Sequence, residues 1–370
     1  MKRLILLNPG PVMISDEVRK ALLQPDICHR EIEFTELLAR IRKKLTTVFK
    51  GDHQHTTVVF GGSGTASLES VISSVVRTGR LLVLSNGYYG EKIETIANIH
   101  NIDVHVLKHE WGQRIEEDEL DRILRDDPKI KYVAMVHNET SLGILNDVSC
   151  VGKLVSENKK VFIVDAISSV GAEELDVARD AIQFCIGSPN KCIESIPGLS
   201  FVCAEKGELE KLRSFPPKTS YLNLYDQYAH EEGLGERSGT PFTPPVQAFY
   251  ALDIALDLLL EEGIANRRKR YASAAEKIRE GLKGLGFRFF LPPKSMCNSL
   301  TSVIMPRNIT YKTLHDRLRK KGFVVYAGQG RLEGKILRVA NMGVLSEEDI
   351  ARFLSSLEAI LKQLNKIPIY

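Results

Sequence analysis

Two charged residues stand where apolar runs stop. Val161-Phe162-Ile163-Val164 closes on Asp165, and Ile186-Gly187-Ser188-Pro189-Asn190 leads into Lys191. In an open α/β sheet the end of such a run is the carboxyl edge, where ligands bind, so this acid and this amine face one crevice. A lysine able to form a Schiff base and a carboxylate able to keep a pyridine nitrogen protonated are what pyridoxal 5′-phosphate asks of a protein. The same pair would also serve as a plain ion pair at the sheet edge, so other residues must decide.

Gly61-Gly62-Ser63-Gly64-Thr65 lies between a β-rich run and a helical one. Its glycines let backbone N–H groups approach an anion, its hydroxyls donate, and the helix N-terminus adds partial positive charge. A dinucleotide fingerprint needs a third glycine three places after Gly64, and Ser67 stands there, so phosphate is favoured over dinucleotide. A bare helix-capping turn would read the same way. Asn86-Gly87-Tyr88-Tyr89-Gly90 follows the next strand-like run and offers an aromatic to stack on a flat ring, or an ordinary aromatic at a helix start. His137-Asn138-Glu139-Thr140 ends another run; Thr140 is the stronger candidate there, and Glu139 reads equally well as a solvated charge. Arg338, inside Ile336-Leu337-Arg338-Val339-Ala340, is a guanidinium in an apolar strand. Arginine is seldom buried without a partner, and its fork matches a carboxylate or phosphonate; a structural ion pair is the competing account.

These residues need a scaffold that brings strand ends together. Thr56–Phe60, Leu81–Leu84, Val104–Leu107, Tyr132–Val136 and Val161–Val164 are short apolar runs separated by helix-length segments, the signature of βαβ units with a parallel sheet covered on both faces. Ile182–Ile186 and Leu199–Cys203 extend that sheet to seven strands. The pattern changes near Thr240-Pro241-Phe242-Thr243-Pro244-Pro245, after which two long helices meet at Gly263 and a smaller α+β stretch follows. The expected fold class is therefore α/β, with a large unit over residues 1–263, its N-terminal segment near the active site, and a small C-terminal α+β unit over 264–370.

Bulk properties agree. A chain of 370 residues is long for one core and suggests about two domains. Nothing approaches the roughly 18 consecutive apolar residues of a membrane span, and Asn8-Pro9-Gly10-Pro11 interrupts the short apolar start too soon for a signal peptide. Fifty basic against 47 acidic residues leave +3, a near balance that argues against a nucleic-acid surface. The six cysteines show no metal-ligand spacing and read as reduced thiols of a cytoplasmic protein.

In order and spacing these motifs resemble the class V, fold-type I aminotransferases, and among them the 2-aminoethylphosphonate:pyruvate transaminases. The resemblance runs from Asn8-Pro9-Gly10-Pro11 through Gly62-Ser63-Gly64-Thr65, Asn86-Gly87-Tyr88-Tyr89-Gly90, Met135-Val136-His137-Asn138-Glu139-Thr140, Asp165-Ala166-Ile167-Ser168-Ser169 and Asn190-Lys191-Cys192-Ile193 to Phe242-Thr243-Pro244-Pro245 and Arg338. It implies Lys191 as the Schiff-base lysine, Asp165 as the pyridinium partner and Tyr89 as the stacking ring. It further implies Ser63, Gly64, Thr65 and Asn190 around the phosphate, with Thr243 reaching in from the partner subunit of a homodimer with shared active sites. Thr140 would serve the ring's 3′-oxygen, and Arg338 with Gly10 would bind substrate. The implied reaction moves an amino group from 2-aminoethylphosphonate, the donor, to pyruvate, the 2-oxo acid acceptor, in phosphonate degradation. Cys28-His29-Arg30-Glu31 resembles the alanine/serine–glyoxylate branch at least as closely, with Arg30 a second anion contact or a structural ion pair. A cysteine desulfurase would have His before its lysine and a mobile cysteine; here Asn190 precedes Lys191, and Cys297 is the nearest candidate. An NAD-dependent oxidoreductase is the alternative from another class.

Overall fold

The computed structural model describes residues 4–234 and 238–370. In chain order the strands are β1 (Ile5–Leu7), β2 (His55–Gly61), β3 (Arg80–Ser85), β4 (Val104–Lys108), β5 (Ile130–Val136), β6 (Asn138–Glu139), β7 (Ile144–Leu145), β8 (Val161–Asp165), β9 (Phe184–Gly187), β10 (Leu199–Glu205), β11 (Leu300–Ile304), β12 (Phe323–Ala327) and β13 (Ile336–Ala340). Seven of them form one sheet in the order β2-β10-β9-β8-β5-β3-β4. Every pairing is parallel except those of β10, which runs antiparallel to both β2 and β9.

Both faces of this sheet are covered. Along β3, Leu82 and Leu84 pack into an apolar cluster with the helices Ile32–Val48 and Val246–Glu262, while Leu81 and Val83 pack on the other face with Gly64–Val75 and Tyr88–Ile99. Alternate side chains enter different cores, so the strands appear in the sequence as continuous apolar runs. The helix Leu224–Glu231 also joins the second face; its weak apolar pattern gave no signal in the chain.

The smaller unit has a four-stranded sheet in the order β1-β12-β13-β11, backed by the helices Ile264–Gly284, Tyr311–Lys321 and Glu347–Gln363. Strand β1 lies parallel to β12, with Ile5 opposite Phe323. A division by chain position alone, 1–263 and 264–370, leaves β1 out of the sheet it joins. Three residues are too short a run to announce a strand, and the partner that makes them one lies more than three hundred residues away.

The chain following β1 crosses back to the large unit. Gly10 has φ +106, and a Cβ there would sit 3.4 Å from the Lys191 side chain, so this turn packs directly on the lysine stem. Met13 then forms a bridge to Gly343 of the small unit.

Candidate active site

The ends of β2, β3, β5, β8 and β9 lie along one edge of the large sheet, and the segments that follow them line a single cavity of about 190 Å³. Ser63, Gly64 and Thr65 come from the first, Tyr89 from the second, and Thr140 from the third. Asp165 ends the fourth, and Asn190 with Lys191 follows the fifth. The remaining lining includes Lys92, Asn138, Ile167 and Ser168.

At one end the helix Gly64–Val75 begins. Its N-cap Ser63 makes no side-chain capping bond, and the N–H groups of Gly64 and Thr65 meet no acceptor among the described residues. These are free donors at a positive helix terminus. Thr65 Oγ1 accepts a 2.8 Å bond from Lys92 Nζ. Sequence reading passed over Lys92; it lies three residues after Tyr89 and so on the same helix face.

Asp165 is 5% exposed. Its Oδ1 accepts from the Ile167 N–H at 2.9 Å, and Oδ2 has no partner among the described residues. Burial pushes the carboxyl up to about 6, against the Ile167 N–H, Lys191 and Lys92, which pull it down. Lys191 Nζ stands 5.6 Å from the centroid of the Tyr89 ring. Asp165 and Lys191 share the cavity without forming an ion pair, so the simple edge-pair account does not apply.

Tyr89 is held by a group that the sequence leaves ambiguous. Glu139 is fully buried, and its Oε2 accepts the N–H groups of Tyr89 at 2.9 Å and Gly90 at 3.1 Å. Its Oε1 accepts the Ser141 hydroxyl at 2.6 Å and the Ser141 N–H at 3.2 Å. Burial raises this carboxyl, and those four bonds oppose the rise. The reading of Glu139 as a solvated charge is thus corrected: it caps the helix Tyr88–Ile99 from a different strand. Gly87 is obligatory beside it, because a Cβ there would fall 2.2 Å from Glu139 Cγ.

Arg338 is 4% exposed. Nε donates to the Ala327 carbonyl at 2.8 Å, and Nη1 donates to the Thr140 carbonyl at 2.9 Å and to Gln329 Oε1 at 3.2 Å. Among the described residues Nη2 has no acceptor and no carboxylate pairs with the guanidinium. The structural ion pair considered for Arg338 does not form. Its charge is buried against neutral oxygens, one residue beyond the cavity lining.

The Aminotransferase class-V family model matches residues 18–344. The chain belongs to the class-V aminotransferases. This class-V aminotransferase is 37% identical over 359 residues to a 2-aminoethylphosphonate–pyruvate transaminase of Vibrio cholerae, covering 96% of each chain. It is 33% identical to an uncharacterized aminotransferase of Methanocaldococcus jannaschii, covering 97% of this chain and 93% of the relative. Its fold superposes on an alanine–glyoxylate aminotransferase of Nostoc sp. with a TM-score of 0.90 at 27% identity, covering 98% and 96%.

Enzymes of this class use pyridoxal 5′-phosphate, and the residues present fit it. The unpartnered Asp165 Oδ2, the free N–H groups at the start of the helix Gly64–Val75 and an unpaired lysine amine are the donors and acceptor such a group needs. Class membership displaces the dinucleotide reading. Cys297 is fully buried, its thiol is pushed up to about 11 by burial, and it donates to the Leu300 carbonyl, so it is no mobile nucleophile.

Two expected residues stand apart. Thr243 is exposed and lies in a recess with Tyr221 and Phe242, outside the cavity of its own chain. Among the described residues Arg30 pairs with no carboxylate, and it stands outside the cavity lining. It donates to the Thr240 carbonyl at 2.9 Å and the Pro241 carbonyl at 3.2 Å, pinning the loop that carries Thr243. His137 is also outside: burial holds its imidazole at about 4, and it faces a separate recess.

Proposed function

We propose that this class-V aminotransferase transfers the amino group of 2-aminoethylphosphonate to pyruvate, giving phosphonoacetaldehyde and L-alanine. The observation that carries the reading is Arg338, a buried guanidinium whose Nη2 has no acceptor and which pairs with no carboxylate among the described residues. A cation desolvated without a counter-ion is costly, and the acidic end of a substrate relieves that cost. The name of the Vibrio cholerae relative supports phosphonate as that acid.

When bound, pyridoxal 5′-phosphate supplies an electron sink for the carbanion and a carbon that exchanges a proton with the donor. Lys191 would hold the cofactor through its Nζ, and the same amine, once free, is the base placed to move a proton at the donor's amino-bearing carbon. Asp165, its Oδ1 fixed by the Ile167 N–H, would use Oδ2 to keep the ring nitrogen protonated. Tyr89 would stack on the ring, Thr140 would serve its 3′-oxygen, and Ser63, Gly64, Thr65 and Asn190 would hold the phosphate. Gly10 keeps backbone against the lysine stem at the substrate side.

A homodimer completes the site. Thr243 lies on an exposed aromatic surface, where Tyr221 is 48% and Phe242 39% exposed and their rings are 5.1 Å apart; Thr243 of the partner subunit then reaches the phosphate. Four buried unpaired thiols suit a reducing compartment, the cytoplasm. No helix among the described residues is long and apolar enough to cross a membrane.

The test mixes cofactor-loaded protein separately with 2-aminoethylphosphonate, alanine and serine and follows the visible absorption band. Decay with the phosphonate and restoration by pyruvate support the reading. Because Arg338 also matches a carboxylate and the Nostoc sp. structure is close, reaction with alanine or serine but not the phosphonate would move the assignment to the alanine/serine–glyoxylate branch.

A further inference from the structure

The cavity is lined by three charged side chains, Asp165, Lys191 and Lys92. Two ammonium groups against one carboxylate leave an excess positive charge before anything binds. Lys191 is committed to the reacting end of the cofactor and Asp165 to the ring nitrogen, which leaves Lys92 without a role. Its placement is not incidental. It comes from the helix Tyr88–Ile99, a different βα unit from the helix Gly64–Val75, and its Nζ sits 2.8 Å from Thr65 Oγ1 at the start of the latter. Among the described residues it pairs with no carboxylate. Beside it are the unused N–H groups of Gly64 and Thr65 and the uncapped Ser63 hydroxyl.

A phosphate dianion held only by neutral donors would leave most of its charge to the helix terminus, which supplies about half a charge. An ammonium at hydrogen-bond distance from one of those donors answers the deficit. We infer that Lys92 is the phosphate-neutralising residue of this enzyme, binding the cofactor's phosphate together with Thr65. The inference rests on the pyridoxal-phosphate reading and adds a ligand to it. Its specific consequence is that Lys92 favours the phosphate ester over unphosphorylated pyridoxal.

The test compares two ligands that differ only in that ester. Full-length protein is stripped of cofactor and titrated with pyridoxal 5′-phosphate and with pyridoxal, following the visible band. Lys92→Met is expected to weaken the phosphate ester about 10- to 100-fold, the worth of one ionic hydrogen bond, with pyridoxal affinity unchanged. Lys92→Arg should restore most of the difference. Equal losses for both ligands would mean that Lys92 acts through Asp165 or through folding, and no loss for either would mean that it is a bystander; each result overturns the inference. If Lys92→Met does not fold, Lys92→Gln supports the same comparison. A wild-type protein that binds pyridoxal and its phosphate ester equally well leaves the cofactor reading intact and removes this inference. One that binds neither removes both.

Discussion

Arg338 and Asp165 are both buried charges that the protein leaves partly unsatisfied, and on the proposed function each is completed by something it binds. For Arg338, replacement by Ala should lower kcat/KM for 2-aminoethylphosphonate by about 30- to 1,000-fold, the ~2–4 kcal/mol cost of losing a desolvated ionic contact. Arg338→Lys should recover little, since a single ammonium cannot reach the Ala327 and Thr140 carbonyls and still face substrate. Steady-state kinetics on all three proteins checks this. For Asp165 the sign follows from burial. Its folded pKa of about 6 lies above the ordinary 3.8, so the cofactor-free fold favours the protonated acid. That preference is fully present below pH 4 and is lost as pH rises through 6. Cofactor-free Asp165→Asn, having no charge to bury, should therefore gain on wild type between pH 4 and 6. The gain should level off near 3 kcal/mol above that range, two pKa units at 1.36 kcal/mol each. Urea melts of both proteins at pH 4, 6 and 8 measure it, and a constant difference across that range would contradict the assignment. A pyridinium held beside Asp165, as proposed, would reverse the preference by favouring the ionised acid.

At the scale of elements, the helix Tyr88–Ile99 depends on a residue from outside its own βα unit. Three N–H groups, those of Tyr89, Gly90 and Ser141, converge on the Glu139 carboxylate. Glu139→Ala should cost about 2–4 kcal/mol in the urea midpoint, from buried N–H groups left without acceptors. Glu139→Gln should cost less, because one oxygen still accepts from Tyr89 and Gly90. The loss should also appear as weaker cofactor retention, since the cap sets where the Tyr89 ring stands. The motif Asn86-Gly87-Tyr88-Tyr89-Gly90 and the motif ending in Glu139 look independent along the chain, yet they are two halves of one contact. Glycine at 87 admits the carboxylate that glycine at 90 and tyrosine at 89 bind. Strand β1 makes the same point: Ile5–Leu7 is a strand only because Phe323–Val325 lies alongside.

At the scale of the whole molecule, the two units touch across the site. Arg338 of the small unit bonds to the Thr140 carbonyl, Asn138 Nδ2 donates to Ser299 Oγ at 3.0 Å, and the Arg331 guanidinium lies 4.2 Å over the Trp111 ring. If Arg338 binds substrate as proposed, substrate binding and the relation of the units are linked through Thr140. Thr243 points to the remaining level of organisation. If a second copy covers Tyr221 and Phe242, Phe242→Asp should convert a sedimenting dimer to monomer. The same change should weaken cofactor retention about tenfold or more, the loss of at least one hydrogen bond to the phosphate. Sedimentation velocity with an absorbance readout of bound cofactor follows both at once.

The chain alone determined the alternation of strands and helices, the seven-strand sheet and the cluster of Ser63, Gly64, Thr65, Tyr89, Thr140, Asp165, Asn190 and Lys191 at its carboxyl edge. It did so because parallel strands covered on both faces leave unbroken apolar runs, and whatever ends such a run lies at that edge. Tertiary structure alone decided how the charges are partnered. Whether Glu139 meets water or three N–H groups, whether Arg338 meets an acid or neutral carbonyls, and whether Arg30 binds an anion or a loop all depend on residues far away in sequence. A charge's solvation is set by what surrounds it in space, and local periodicity carries no record of that.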